Sequence, residues 1–145
     1  MTDWTFALDA GDFERAWGDI DWEDAYVGEC SLVSPSRLLP NGLVRFPNAT
    51  PDLRMVVVVP RARCAIEFHV HLADEVHLRQ CEQLRPGVIV GRTDVELSLA
   101  DAGRVRGRAL RWRVLEEADA RAVGRLGRAY PPEDEFDDDR FWRPR

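Results

Sequence analysis

A chain of 145 residues is about one domain long, and folding at that size buries roughly two-thirds of the unfolded surface. With 45% apolar and 32% charged residues the composition is globular, which excludes a disordered chain and any dependence on disulfides. The net charge of −6 argues against nucleic acid as a partner, and the longest aliphatic run, 55–59, is far too short to cross a bilayer.

The charge is partitioned along the chain. Residues 1–30 sum to −8, residues 31–129 to +5 and residues 130–145 to −3. An acidic head and tail around a basic middle predict charge pairing, within the molecule or with a partner. All 20 basic residues are Arg, the side chain that forms planar bidentate pairs with carboxylates and phosphates. Cys30, Cys64 and Cys81 are odd in number and lack CxxC spacing, and no apolar segment follows a basic start. Free thiols in a reduced, cytoplasmic setting are the expectation.

In chain order, residues 1–26 combine acids with Trp4, Phe6, Phe13, Trp17, Trp22 and Tyr26. Asp12 reads as a helix N-cap, with Phe13 and Trp17 following at i, i+4. Trp22 and Tyr26 repeat that spacing after Gly18, so one or two short helices are expected. From residue 27 the pattern turns strand-like, over 27–33, 42–46, 53–59, 64–72, 88–99 with a kink at Gly91, and 104–115. Turn chemistry such as Pro40-Asn41-Gly42 and Arg85-Pro86-Gly87 separates these runs. The run 55–59 is unbroken apolar sequence and is expected to be buried on both faces. Residues 74–84 fit either a strand or a short helix, and 117–130 reads as a helix weakened by Gly124 and Gly127.

Residues 1–130 thus form a single globular domain, and residues 131–145 an acidic tail that begins at Pro131-Pro132. The fold class expected is α+β: about six strands in a mainly antiparallel, curved or barrel-like sheet, with short flanking helices.

Three groups of residues could carry function. In CAIEFHVHL (64–72), Cys64, Ile66, Phe68, Val70 and Leu72 point to one side, and Ala65, Glu67, His69 and His71 to the other. With His77 from the next segment, Glu67, His69 and His71 could hold a divalent transition metal with an open position. In GRVRGRALRWR, Arg104, Arg106 and Arg108 share one strand face. Arg111 and Arg113 fall on the other unless a bulge near Ala109 resets the alternation. These five guanidinium groups could bind an anion or pair with the acidic head. Finally, Trp4, Trp17 and Trp22 in the head, and Asp137, Asp138, Asp139 and Trp142 in the tail, could form a partner-binding surface. There is no GxGxxG, GxxxxGK[ST], HExxH or GxSxG.

The stretch GRVRGRALRWRVLEEADARAVGRLGRAYP resembles the strand-then-helix segment of flavin- or deazaflavin-binding split barrels. That likeness implies a flavin cofactor and a reductase or oxidase activity. The stretch LRPGVIVGRTDVELSLADAGRVRGRAL resembles the late strands of PilZ-type cyclic-dinucleotide barrels. What the two likenesses jointly imply is a small antiparallel barrel.

Two functional expectations follow. The first is a non-enzymatic protein-binding module of the bacterial cytoplasm, an adaptor or immunity-like neutralising protein. It would present an acidic, aromatic surface to a partner with a basic one. The alternative is a small metal- or flavin-dependent enzyme using the His69, His71 and His77 face.

Overall fold

The computed structural model describes residues 3–34, 36–45, 50–79, 83–121 and 123. In chain order the elements are β1 (Thr5–Phe6), α1 (Ala10–Trp17), β2 (Tyr26–Val33), β3 (Arg37–Leu38), β4 (Val44–Arg45), β5 (Asp52–Val59) and β6 (Cys64–His71). They continue with β7 (Glu75–Leu78), β8 (Gly87–Val90), β9 (Val95–Ser98), a 3-10 turn at Ala100–Ala102, β10 (Gly103–Gly107), β11 (Ala109–Val114) and α2 (Glu117–Arg121).

These strands make two antiparallel sheets rather than one. The first has five strands in the order β1-β11-β6-β5-β2, and the second has four in the order β7-β10-β9-β8. β3 and β4 form a separate hairpin. The α+β class holds, but among the described residues no closed barrel forms and the expected single six-stranded sheet is replaced by two.

Two local events split the expected long strands. Gly91 N–H donates to the Asp94 carbonyl at 2.8 Å, turning 88–99 into the β8–β9 hairpin instead of a kinked strand. Arg108 interrupts 104–115, and its N–H donates to the His71 carbonyl at 2.8 Å. There the chain leaves the second sheet as β10 and enters the first as β11. Residues 74–84, open between strand and helix, contain strand β7.

The N-terminal helix also begins earlier than its sequence suggests. Asp9 is the N-cap, and Asp12 sits at the third helical position, closing a capping box. Asp12 N–H donates to Asp9 Oδ1 at 3.1 Å, and Asp9 N–H donates back to Asp12 Oδ2 at 2.9 Å. The two carboxylates thus satisfy each other's backbone donors, which a single cap could not do. The second short helix around Trp22 and Tyr26 does not form: Tyr26 opens β2 instead. Of the helix expected over 117–130, α2 occupies the first turn, and residues from 124 on lie outside the described set.

One core joins both sheets. Leu53, Met55, Val57, Val59, Ile66, Phe68, Val70, Leu110 and Trp112 of the first sheet cluster with Val88, Val95, Leu97 and Val105 of the second. Phe13 of α1 enters this core edge-on to Trp112, with ring centroids 5.7 Å apart and planes at 82°. A smaller cluster forms on the opposite face of the first sheet, where Val56, Val58 and Ala65 pack with Leu115 and with Ala120 of α2. The run 55–59 is therefore buried on both faces, as its unbroken apolar sequence requires.

Gly103 marks the closest backbone approach. It has φ of 114° and lies opposite Leu78, where a Cβ would collide with the His77 carbonyl. Gly103→Ala is expected to destabilise the fold by about 1–3 kcal/mol. Phe68→Ala in the main core should cost about 3–5 kcal/mol, while Phe6→Ala, at a 52% exposed site, should stay within about 0.5 kcal/mol. Urea denaturation of the three variants checks this ordering.

Candidate functional site

Of the polar residues singled out above, the outer face of the five-stranded sheet carries Glu67, His69, His71, Arg111 and Arg113. β6 turns Ala65, Glu67, His69 and His71 to this side, as the alternation demands. In register, Arg111 of β11 and Arg54 of β5 flank His69, while Arg113 and Val56 flank Glu67. α2 covers one end of the face, so exposure rises along β6 from buried Ala65 and Glu67 through half-buried His69 to exposed His71.

Glu67 is the one buried charged residue among those described, at 5% exposure. Its carboxylate oxygens lie 3.4 Å from Arg54 Nε and 3.2 Å from Arg113 Nη2. Arg54 Nη1 also pairs with Glu29 of β2 at 2.5 Å. The result is an ion ladder, Glu29–Arg54–Glu67–Arg113, running across four adjacent strands. Trp4 closes its end: the Arg111 and Arg113 guanidinium carbons lie 4.0 and 4.4 Å from the indole centroid. The same indole stacks on His69, with centroids 5.7 Å apart and planes at 24°.

His69 is a neutral acceptor in this setting. Arg111 Nε donates to its Nδ1 at 3.2 Å, and Nη2 of the same guanidinium is 2.9 Å away. Burial, followed by the Arg111 charge, holds the imidazole below its ordinary pKa. With Nδ1 accepting, Nε2 carries the proton.

The expected metal set of Glu67, His69, His71 and His77 does not assemble. His77 lies on β7 in the other sheet, where its Nε2 is 3.2 Å from Glu75 Oε1. His71 Nδ1 is 2.9 Å from Asp52 Oδ1, and Glu67 is held by its two arginines. Among the described residues no three His, Cys, Asp or Glu groups stand close enough together to hold a metal ion. The nine-residue span of the three histidines straddles a change of sheet, which is why closeness in sequence did not become closeness in space.

The arginine cluster divides for the same reason. Arg104 and Arg106 lie on the second sheet, where Arg104 pairs with Glu75 at 2.6 Å and Arg106 with Glu75 at 3.2 Å. Glu96 and Asp94 complete that network at 3.7 to 3.9 Å. Arg108 is exposed in the crossover. Arg111 and Arg113 share a face, but it belongs to the other sheet. The basic strand therefore pairs with its own cross-strand neighbours, not with the acidic head. The head reaches the basic middle at Arg61, which is 3.3 Å from Glu23 and 3.5 Å from Asp24, and at the Glu29–Arg54 pair.

Of the aromatic partner-binding candidates, Trp17 and Trp22 are half-buried against the main core, and Trp22 stacks on Phe13 at 6.2 Å with planes at 14°. Trp17 Nε1 is buried and has no hydrogen-bond partner among the described residues. Trp22 also lines an open cleft of about 550 Å³ with Ile20, Asp21, Glu23, Asp24, Gln83, Leu84 and Arg85. Asp137, Asp138, Asp139 and Trp142 lie outside the described residues.

Two features had no signal in the sequence. Arg54, Asp52 and Trp4 join the histidine face only through strand register and edge packing. Leu32 and Val33 at the end of β2 and Leu38, Leu43 and Val44 of the β3–β4 hairpin are also exposed. Among the described residues no helix is long and apolar enough to cross a membrane. No protein-family model, curated protein or solved structure matches the chain.

Replacing Glu67 by Gln removes the carboxylate that half-buried Arg113 pairs with and leaves Arg54 with Glu29 alone. Because both arginines reach solvent, the expected cost is discounted to about 1–3 kcal/mol by urea denaturation. His69 binds its proton less readily folded than unfolded, so its contribution to stability is present above its unfolded pKa near 6.5 and is lost as pH falls through the lower folded value. His69→Gln should flatten that part of the stability–pH profile.

Proposed function

We propose that this is a non-enzymatic protein-binding module of the bacterial cytoplasm, an adaptor or an immunity-like neutralising protein, that receives a basic segment of its partner in the Trp22 cleft. The observation that carries this reading is the combination of a half-buried indole with exposed carboxylates at the mouth of an open cleft. Asp21, Glu23 and Asp24 line it beside Trp22. Asp19 is exposed two residues earlier; Arg61 pairs with both Glu23 and Asp24, and Arg85 also lines the cleft.

The physics suits a guanidinium or ammonium side chain. The indole face attracts a cation through its quadrupole, and the flanking carboxylates supply long-range attraction that speeds encounter. The stack on Phe13 fixes the Trp22 ring, which lowers the ordering cost of binding. Trp anchored in a core and partly open to solvent is also the type of residue that dominates interface energetics.

Titration of the full chain with nona-arginine, followed by tryptophan fluorescence, tests this reading. Saturable binding is expected, weakening steeply with salt. Changing Asp21→Asn, Glu23→Gln and Asp24→Asn together should weaken it by about tenfold or more, which corresponds to about 1.4 kcal/mol. Trp22→Phe should abolish most of the fluorescence change. Unaltered affinity in the charge-neutral variant, with circular dichroism intact, would overturn the assignment.

A further inference from the structure

Away from the Trp22 cleft, Arg111 stands apart from the other arginines described on β5, β10 and β11. Arg54, Arg104, Arg106 and Arg113 each pair with a carboxylate. Arg111 is half-buried among them and pairs with no carboxylate among the described residues; its hydrogen-bond acceptor is His69. A guanidinium bonded to a neutral imidazole keeps its full positive charge, and burial makes that charge count for more than it would in water.

Arg111 is also held in place. Trp4 lies beneath it at 4.0 Å and His69 Nδ1 fixes one edge, so little side-chain freedom is left to lose when something binds. Beside it lies a depression of about 310 Å³ whose lining includes Phe6, Ala109, His69, Arg111, His71 and Asp52. Phe6 stands opposite Arg111 in the β1–β11 register and is 52% exposed. His69 contributes Nε2–H as a second donor on the same face.

We propose that this depression binds a small organic monocarboxylate, with the carboxylate on Arg111 and an aromatic or aliphatic body against Phe6. The pairing of a fixed guanidinium with an apolar wall matches the two halves of such a molecule. Asp52 on the rim sets the charge. Its Oδ1 accepts from Leu72 N–H at 2.9 Å and lies 2.9 Å from His71 Nδ1, so it is partly balanced. It still repels a second negative group, which disfavours dicarboxylates and phosphate.

The test is a nuclear magnetic resonance titration of the full chain with benzoate at constant ionic strength, read at the His69 ring and the Trp4 indole. Saturable shifts at both are expected, and equal concentrations of chloride, inorganic phosphate or benzyl alcohol should not reproduce them. Arg111→Gln should weaken binding by about tenfold, the loss expected for a charge-assisted pair. Phe6→Ala should weaken it several-fold with the spectrum otherwise unchanged. If Arg111→Gln does not fold, Arg111→Lys decides, since it keeps the charge but loses the planar fork and should still bind several-fold more weakly. Absence of saturating shifts, shifts matched by chloride, or full affinity in a folded Arg111 variant would overturn the proposal.

Discussion

The pairing of β5 with β6 is the constraint on which the rest of the molecule depends. Met55 opposes Phe68 and Val57 opposes Ile66 on one face, while Val56 opposes Glu67 and Val58 opposes Ala65 on the other. Both faces of this ribbon are closed, one by the second sheet and α1, the other by α2. Each aliphatic side chain so buried contributes about 1.5–3 kcal/mol relative to exposure, and a one-residue slip would turn every side chain of β6 to the wrong side. The register is therefore strongly specified. Fixing it also fixes which polar groups of β6 meet Arg54, Arg111 and Arg113.

Electrostatics then works at short range. An acidic head beside a basic middle suggests pairing across the domain, yet Arg54, Arg104, Arg106 and Arg113 all found carboxylates one strand away. Cross-strand geometry explains this: directly opposed side chains stand about 5 Å apart, whereas a contact between head and β10 would have to order a loop as well. Glu67 shows the consequence. Buried at 5% exposure, it takes a guanidinium from each neighbouring strand, Arg54 on β5 and Arg113 on β11.

Parts of this were legible in the residues. The alternation in CAIEFHVHL placed Glu67, His69 and His71 on one side correctly, and the Asn41-Gly42 pair marked the β3–β4 turn, where Gly42 takes φ of 82°. The apolar run in β5 foretold burial on both faces. Gly91 was legible as an interruption but not as a hairpin, because a single glycine fits a kink and a turn equally. The interruption at Arg108 was less visible still, since a bulge and a crossover look alike in sequence. Neither the separation of His77 from its neighbours nor the division of the arginine cluster could be read without knowing where the chain changes sheets.

By itself, then, the sequence determined the local quantities: which segments extend, which faces are apolar, where the turns fall and how charge is spread along the chain. These depend on dihedral preferences and on side-chain period, both properties of near neighbours. Tertiary structure alone decided that the strands of the expected single sheet divide between a five-stranded and a four-stranded one, that Trp4, Arg111 and His69 stack together, that Arg111 pairs with no carboxylate among the described residues, and that Trp22 lines an open cleft beside three acids. Such contacts join residues up to about a hundred positions apart, and they are selected by the burial of a shared core rather than by any pattern a short window contains.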